Sequence, residues 1–157
     1  MPYAIFHPAY DLPEFLQGTC TLHQCRKWHL RRAISLYQRD RKMNRPCTQY
    51  NTISNYRQAI HAAVKATGLK EPYTGDVMKW ELIGTWESSK GSHGGDAFKK
   101  EYYLLPTVDH LDPEAKDIRF EICSWQINSC KNDLSPEEFV ALCKKIWEHR
   151  QGVSSGD

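Results

Sequence analysis

No stretch of this chain strings together the 18 or so apolar residues that a membrane-spanning helix needs, so no membrane association is expected. The opening residues, MPYAIFHPAYDLPEF, lack a basic start and an apolar signal core, so a cytoplasmic setting is expected. In that compartment the six cysteines read as reduced thiols and not as a disulfide framework. None of them forms a Cys-x-x-Cys pair, which removes a common signature of structural zinc. No internal repeat and no second domain are visible. At 157 residues, 40% hydrophobic and 25% charged, the chain has the size and balance of one globular domain, expected over residues 1–150. Residues 151–157 are expected to form a disordered tail.

The net charge of +2 hides an uneven distribution. Residues 26–45, RKWHLRRAISLYQRDRKMNR, hold eight Lys or Arg against one Asp, a local +7 that leaves −5 for everything else. Such a block is an electrostatic footprint for a polyanion, with nucleic acid the first candidate, although exposed helices are often charged and bind nothing. Arg31, Arg32, Arg39 and Lys42 are the candidate phosphate contacts.

Three prolines punctuate residues 1–19, which read as an irregular lead-in. Residues 26–68 read as a helical, basic region. Within it residues 26–43 fit a helix with Leu30, Ala33, Ile34 and Tyr37 on its apolar stripe, and residues 54–67 fit a second with Tyr56, Ala59, Ile60, Ala63 and Val64 on one face. Gly68 supplies the stop. After the turn Tyr73-Thr74-Gly75, the run up to Trp86 reads as a strand. Residues 88–98, rich in Gly and Ser, read as a surface loop. KEYYLLPTVDH then reads as a strand whose interior Pro106 points to an edge or a bulge. IRFEICSW, residues 118–125, reads as its partner. Ser135, Pro136 and Glu138 make a capping box for a final helix with Phe139, Leu142, Cys143 and Ile146 as its buried stripe.

A strand ending in Val-Asp-His-Leu-x-Pro, a loop, a second strand and then NSCKNDLSPEEF from Asn128 resembles the HNH nuclease family. The run through LLPTVDH, FEICSWQIN and KNDLSPEEF is similar to small bacterial proteins of this type. The resemblance covers about residues 71–147. It implies an α+β fold: a mainly helical N-terminal half packed on a C-terminal ββα-metal hairpin-helix unit, residues 71–150, with a final helix. It also implies a metal-dependent endonuclease that hydrolyses phosphodiester bonds in DNA, double-stranded by expectation, by a one-metal mechanism.

The chemistry gives each residue a place. His110, an imidazole mostly neutral near pH 7, would act as general base on water. Asp109 and Asn128, with Asn132 in reserve, would offer oxygens to one hard divalent cation, Mg2+ or alternatively Mn2+. Lys131 would contact phosphate. The family's middle Asn, which braces this loop, has no clear counterpart; Arg119 or Glu121 stands near its place. A catalytically inactive HNH-like module that binds nucleic acid or a protein partner is therefore the alternative. Asn128 could equally cap a helix, and Trp125 could be core. Cys20, His23, Cys25 and His29 are zinc-type ligands by chemistry, but their spacing is not that of a standard finger, so structural Zn2+ is not expected there.

Overall fold

The computed structural model describes residues 10–85 and 99–153. It is an α+β fold, with helices in the N-terminal part and a β-hairpin followed by helices in the C-terminal part. Helix α1 spans Leu22–Lys42. It begins four residues before the expected start because Thr21 and Gln24 form a capping box: Thr21 N–H donates to Gln24 Oε1 at 2.8 Å and Gln24 N–H to Thr21 Oγ1 at 3.1 Å. Helix α2, Ile53–Thr67, opens on the same device, with Thr52 and Asn55, and ends at Gly68, whose φ of 71° suits glycine.

The buried face of α1 is rotated from the expected stripe. It carries Cys25, Trp28, His29, Ala33, Leu36 and Asp40, while Leu30 is exposed and Ile34 and Tyr37 are only half-buried. That face docks on α2 through Tyr56, Ile60 and Val64, and the same core takes in Met78, Trp80 and the inner face of the hairpin. Burying each large apolar side chain of this kind contributes about 1.5–3 kcal/mol.

Among the described residues, no strand forms between Gly75 and Thr85. That segment holds one isolated bridge, Lys70 to Val77, and a short 3-10 turn at Trp80–Leu82 that buries Trp80. The turn before it is built on Glu71, whose Oε2 accepts the backbone N–H groups of Tyr73 and Thr74, both at 2.7 Å. The expected loop at 88–98 lies outside the described residues.

Strand β1, Pro106–His110, pairs antiparallel with β2, Phe120–Ser124, in a register that sets Val108 opposite Ile122 and Asp109 opposite Glu121. Pro106 opens the strand instead of interrupting it, where a missing N–H costs nothing. Val108, Phe120 and Ile122 join the helical core. Thr107, Asp109, Glu121 and Cys123 occupy the other, polar face. Helix α3, Trp125–Lys131, follows β2 directly, capped by Ser124 Oγ on Ile127 N–H at 3.2 Å.

Helix α4 spans Pro136–Val153, so its last residues replace the first part of the expected disordered tail; residues 154–157 lie outside the described set. Its Ser135–Glu138 capping box is present. Its expected buried stripe is not, since only Phe139 is buried, against Tyr73, while Leu142, Cys143 and Ile146 are exposed and Trp147 is 64% exposed. Among the described residues, no helix is long and apolar enough to cross a membrane.

Candidate active site

Side chains alternate across a strand, and β1 uses that alternation to reach different helices from neighbouring positions. Asp109 turns toward α3, where Lys131 Nζ donates to its Oδ2 at 2.7 Å. Its Oδ1 accepts the backbone N–H of His110 at 2.9 Å. His110 turns toward α1, where its Nε2 lies 2.8 Å from Asp40 Oδ2. The two side chains meet only at the strand's end, where a cavity of about 80 Å3 is lined by both, together with Arg39, Arg45, Asn128, Lys131 and Asn132.

The partners of His110 fix its tautomer. Arg39 Nη2 and Arg45 Nη1 lie 3.4 and 3.3 Å from Nδ1. A guanidinium only donates, so Nδ1 presents a lone pair and Nε2 carries the proton given to Asp40. The basic nitrogen of the ring therefore lies on the arginine side. Phe120 supports the ring edge-on at 4.9 Å between centroids.

Asp40 is wholly buried, and every bond it makes is from a donor. Arg45 Nη1 donates to Oδ1 at 2.9 Å, and Tyr56 Oη donates to Oδ2 at 2.7 Å. Burial alone would raise its carboxyl, but the His110 and Tyr56 hydrogen bonds and the Arg45 charge outweigh that and hold it below the usual carboxylate value. Burial, with Cys47 and Asp40 alongside, raises the Tyr56 phenol far above its ordinary range, so Tyr56 remains a donor.

On the polar face of the hairpin, ligand-type atoms of Asp109, Glu121 and Cys123 lie within 4.8 Å of one another. The Tyr73 hydroxyl donates to Glu121 Oε1. Burial raises the Glu121 carboxyl, the Tyr73 bond opposes this, and the Asp109 charge adds to it. Burial, reinforced by Asp109 and Glu121, likewise raises the Cys123 thiol and keeps it protonated.

The fold gathers some expected residues and separates others. Asn128 Nδ2 donates to Thr107 Oγ1 at 3.1 Å, which leaves Oδ1 without a partner among the described residues. Asn132 ends α3 with φ of 51° and sits exposed at the cavity's rim. Lys131, expected as a phosphate contact, is 1% exposed and pairs with Asp109. Arg39 lines the cavity, and Arg32 lines a second one beside it. Arg31 lies instead along a separate groove with His23 and Lys27, and Lys42 is exposed near the end of α1.

Asp40 and Arg45 went unrecognised in the sequence. The available signal was that Asp40 is the only acid in the basic block. Of the zinc-type residues, Cys25 and His29 share a turn of α1 with Sγ and Nε2 3.7 Å apart, while His23 is exposed. Burial pushes the Cys25 thiol up to about 12. The Asp109, Glu121 and Cys123 group is the only three-residue set of such ligands converging among the described residues.

A hard divalent cation takes oxygen ligands and keeps several waters. Each Asp109 oxygen accepts one hydrogen bond and keeps a second lone pair, and Asn128 Oδ1 has no partner among the described residues. These oxygens are of the type such an ion takes, although Lys131 already supplies the carboxylate with one positive charge. Comparison with protein-family models, curated proteins and solved structures gives no match, so the residues and their geometry carry the functional reading.

Proposed function

We propose that this chain hydrolyses phosphodiester bonds in DNA at the end of β1, with His110 as general base, in the manner of the HNH nucleases its second half resembles. The observation that supports this most is the Asp40–His110 pair. A buried carboxylate fixes the Nε2 proton at 2.8 Å and presents the Nδ1 lone pair beside a cavity lined by Asp109, Asn128 and Arg39. Asp40 thus does the bracing that the resemblance assigns to a middle Asn this chain lacks.

Water is deprotonated by Nδ1, and the imidazolium that forms is stabilised by the Asp40 carboxylate behind it. Arg39 is half-exposed at its side chain, 53%, so its guanidinium can leave Nδ1 for a phosphate oxygen and give the nitrogen to water. Arg45 Nη1, 3.3 Å from Nδ1, has to yield that contact as well while keeping its 2.9 Å bond to Asp40. Mg2+ or Mn2+ held by Asp109 and Asn128 would, when bound, stabilise charge on the phosphoryl and leaving oxygens. The preference for DNA over RNA rests on the resemblance.

A second reading is favoured by Lys131. Its ammonium already pairs with Asp109, as in an idle module that binds nucleic acid without cutting it. One assay separates the two. Supercoiled plasmid is incubated with the protein and Mg2+ or Mn2+, with EDTA as control. Nicking by the wild type, lost in His110→Ala while plasmid binding persists, is expected. Undiminished nicking by His110→Ala ends the assignment, and binding without nicking under either metal selects the idle module.

A further inference from the structure

The small cavity at His110 does not stand alone. Arg39 and Asn128 form part of its wall and also part of the wall of a second cavity of about 320 Å3, so the two are contiguous. The larger one falls within the roughly 300–1,000 Å3 typical of sites for small organic ligands. Its apolar wall is Trp125 with Leu36, Leu105 and Val108; its polar wall includes Asn128, Ser35 and Arg32.

Arg32 is the informative member. It is half-buried on α1, and among the described residues it has neither a hydrogen bond nor an ion pair. A guanidinium removed from water without a partner is costly. Burial accordingly lowers its proton affinity. An anionic or planar π ligand in this cavity would relieve that cost, because guanidinium both pairs with phosphate and stacks on rings.

Resting on the phosphodiester reading above, we propose that the larger cavity seats one unstacked nucleotide of a nucleic-acid strand whose adjoining phosphate reaches the His110 cavity. An apolar wall with one aromatic ring accepts the face of a base, and Arg32 its flanking phosphate or ring. A base inside a continuous duplex is held in its stack and cannot enter such a pocket without being extruded. The substrate class is therefore a nucleic acid carrying an extrahelical or single-stranded nucleotide.

The test uses the full chain, in EDTA to prevent cleavage, and fluorescence anisotropy of three labelled DNA hairpins. One is a continuous duplex, one carries a single extrahelical thymidine, and one carries an extrahelical abasic site. The thymidine bulge should bind on the order of tenfold more tightly than the abasic bulge, in keeping with base–aromatic stacking. Arg32→Gln should reduce that preference. Ser35→Phe, at an exposed position on the pocket wall, should fill the cavity and erase the preference while leaving affinity for the continuous duplex unchanged. Circular dichroism confirms that both variants fold. Equal affinity for the two bulges, a preference that survives Ser35→Phe, or binding of none of the probes overturns the proposal. Nicking without a thymidine preference would sink this inference alone. A thymidine preference without nicking would sink the catalytic reading and leave the pocket standing.

Discussion

Replacing Asp40 with Asn changes one oxygen to an NH2 group and removes one charge, in a side chain with no exposed surface. The wild-type carboxylate receives three donors: Arg45 at 2.9 Å, Tyr56 at 2.7 Å and His110 at 2.8 Å. Whichever way the amide is turned, its NH2 faces at least one of them donor to donor. Arg45, itself buried, keeps only Asp133, at 3.8 Å, as an acid partner among the described residues. Breaking a buried ion pair by removing one partner costs about 3–5 kcal/mol, a large share of the roughly 5–15 kcal/mol that holds a domain together. Urea unfolding followed by circular dichroism reads this as a lower midpoint at unchanged slope.

Tyr56→Phe deletes one of the three donors and should cost about 1.5–3 kcal/mol. The double variant should cost clearly less than the sum, because the two groups touch. The folded-state value of Asp40 lies below its unfolded one, so its stabilisation is present above the ordinary carboxylate value and is lost as pH falls through the lower one. On the proposed reaction, general-base assistance contributes about 10²–10⁴-fold, and Asp40→Asn should forfeit part of it by leaving the tautomer of His110 unfixed. Stability within about 1 kcal/mol of wild type, with strict additivity toward Tyr56→Phe, would refute the view of Asp40 as the anchor.

Three further outcomes follow from particular side chains. His29 is fully buried, and burial, reinforced by His61 and Arg57, lowers its value from 6.5 to about 3. Below pH 6.5 the unfolded chain takes up a proton that the folded one refuses, so stability should fall by about 2 kcal/mol by pH 5. His29→Gln should flatten that fall in a thermal-melt series, and an unchanged slope would contradict it. Lys131→Met strands the buried Asp109 carboxylate and should cost about 3–5 kcal/mol. Adding Asp109→Asn to it should recover most of that loss in urea titration, whereas additive losses would mean the pair does not neutralise itself. Ile146→Lys on the exposed side of α4 should shift stability by no more than about 0.5 kcal/mol. A loss above about 2 kcal/mol would show that face to be covered in solution.

Local patterns were legible wherever hydropathy and burial agree. Tyr56, Ile60 and Val64 announce α2 correctly because that face buries mainly apolar groups. On α1 the same rule points the wrong way, since the inward face contains His29 and Asp40, polar groups that a periodicity count assigns to solvent, while Leu30 remains outside. The aromatic run around Trp80 suggested a strand, yet a short turn buries Met78 and Trp80 without needing a pairing partner. Asp109, His110, Asn128 and Lys131 are legible as neighbours because they lie within one hairpin and the helix after it. Asp40 and Arg45 were missed because their position beside His110 exists only after α1 docks on the sheet.

That docking has an engineering consequence. On the proposed function, the hairpin and short helix invite excision as a portable unit for fusion to DNA-targeting domains. Here the imidazole's anchor comes from a helix 70 residues upstream, so a graft beginning at the hairpin would carry an untethered ring. Any transplant has to bring the whole amino-terminal scaffold with it, and a split version would regain its ring geometry only on reassembly of the two fragments.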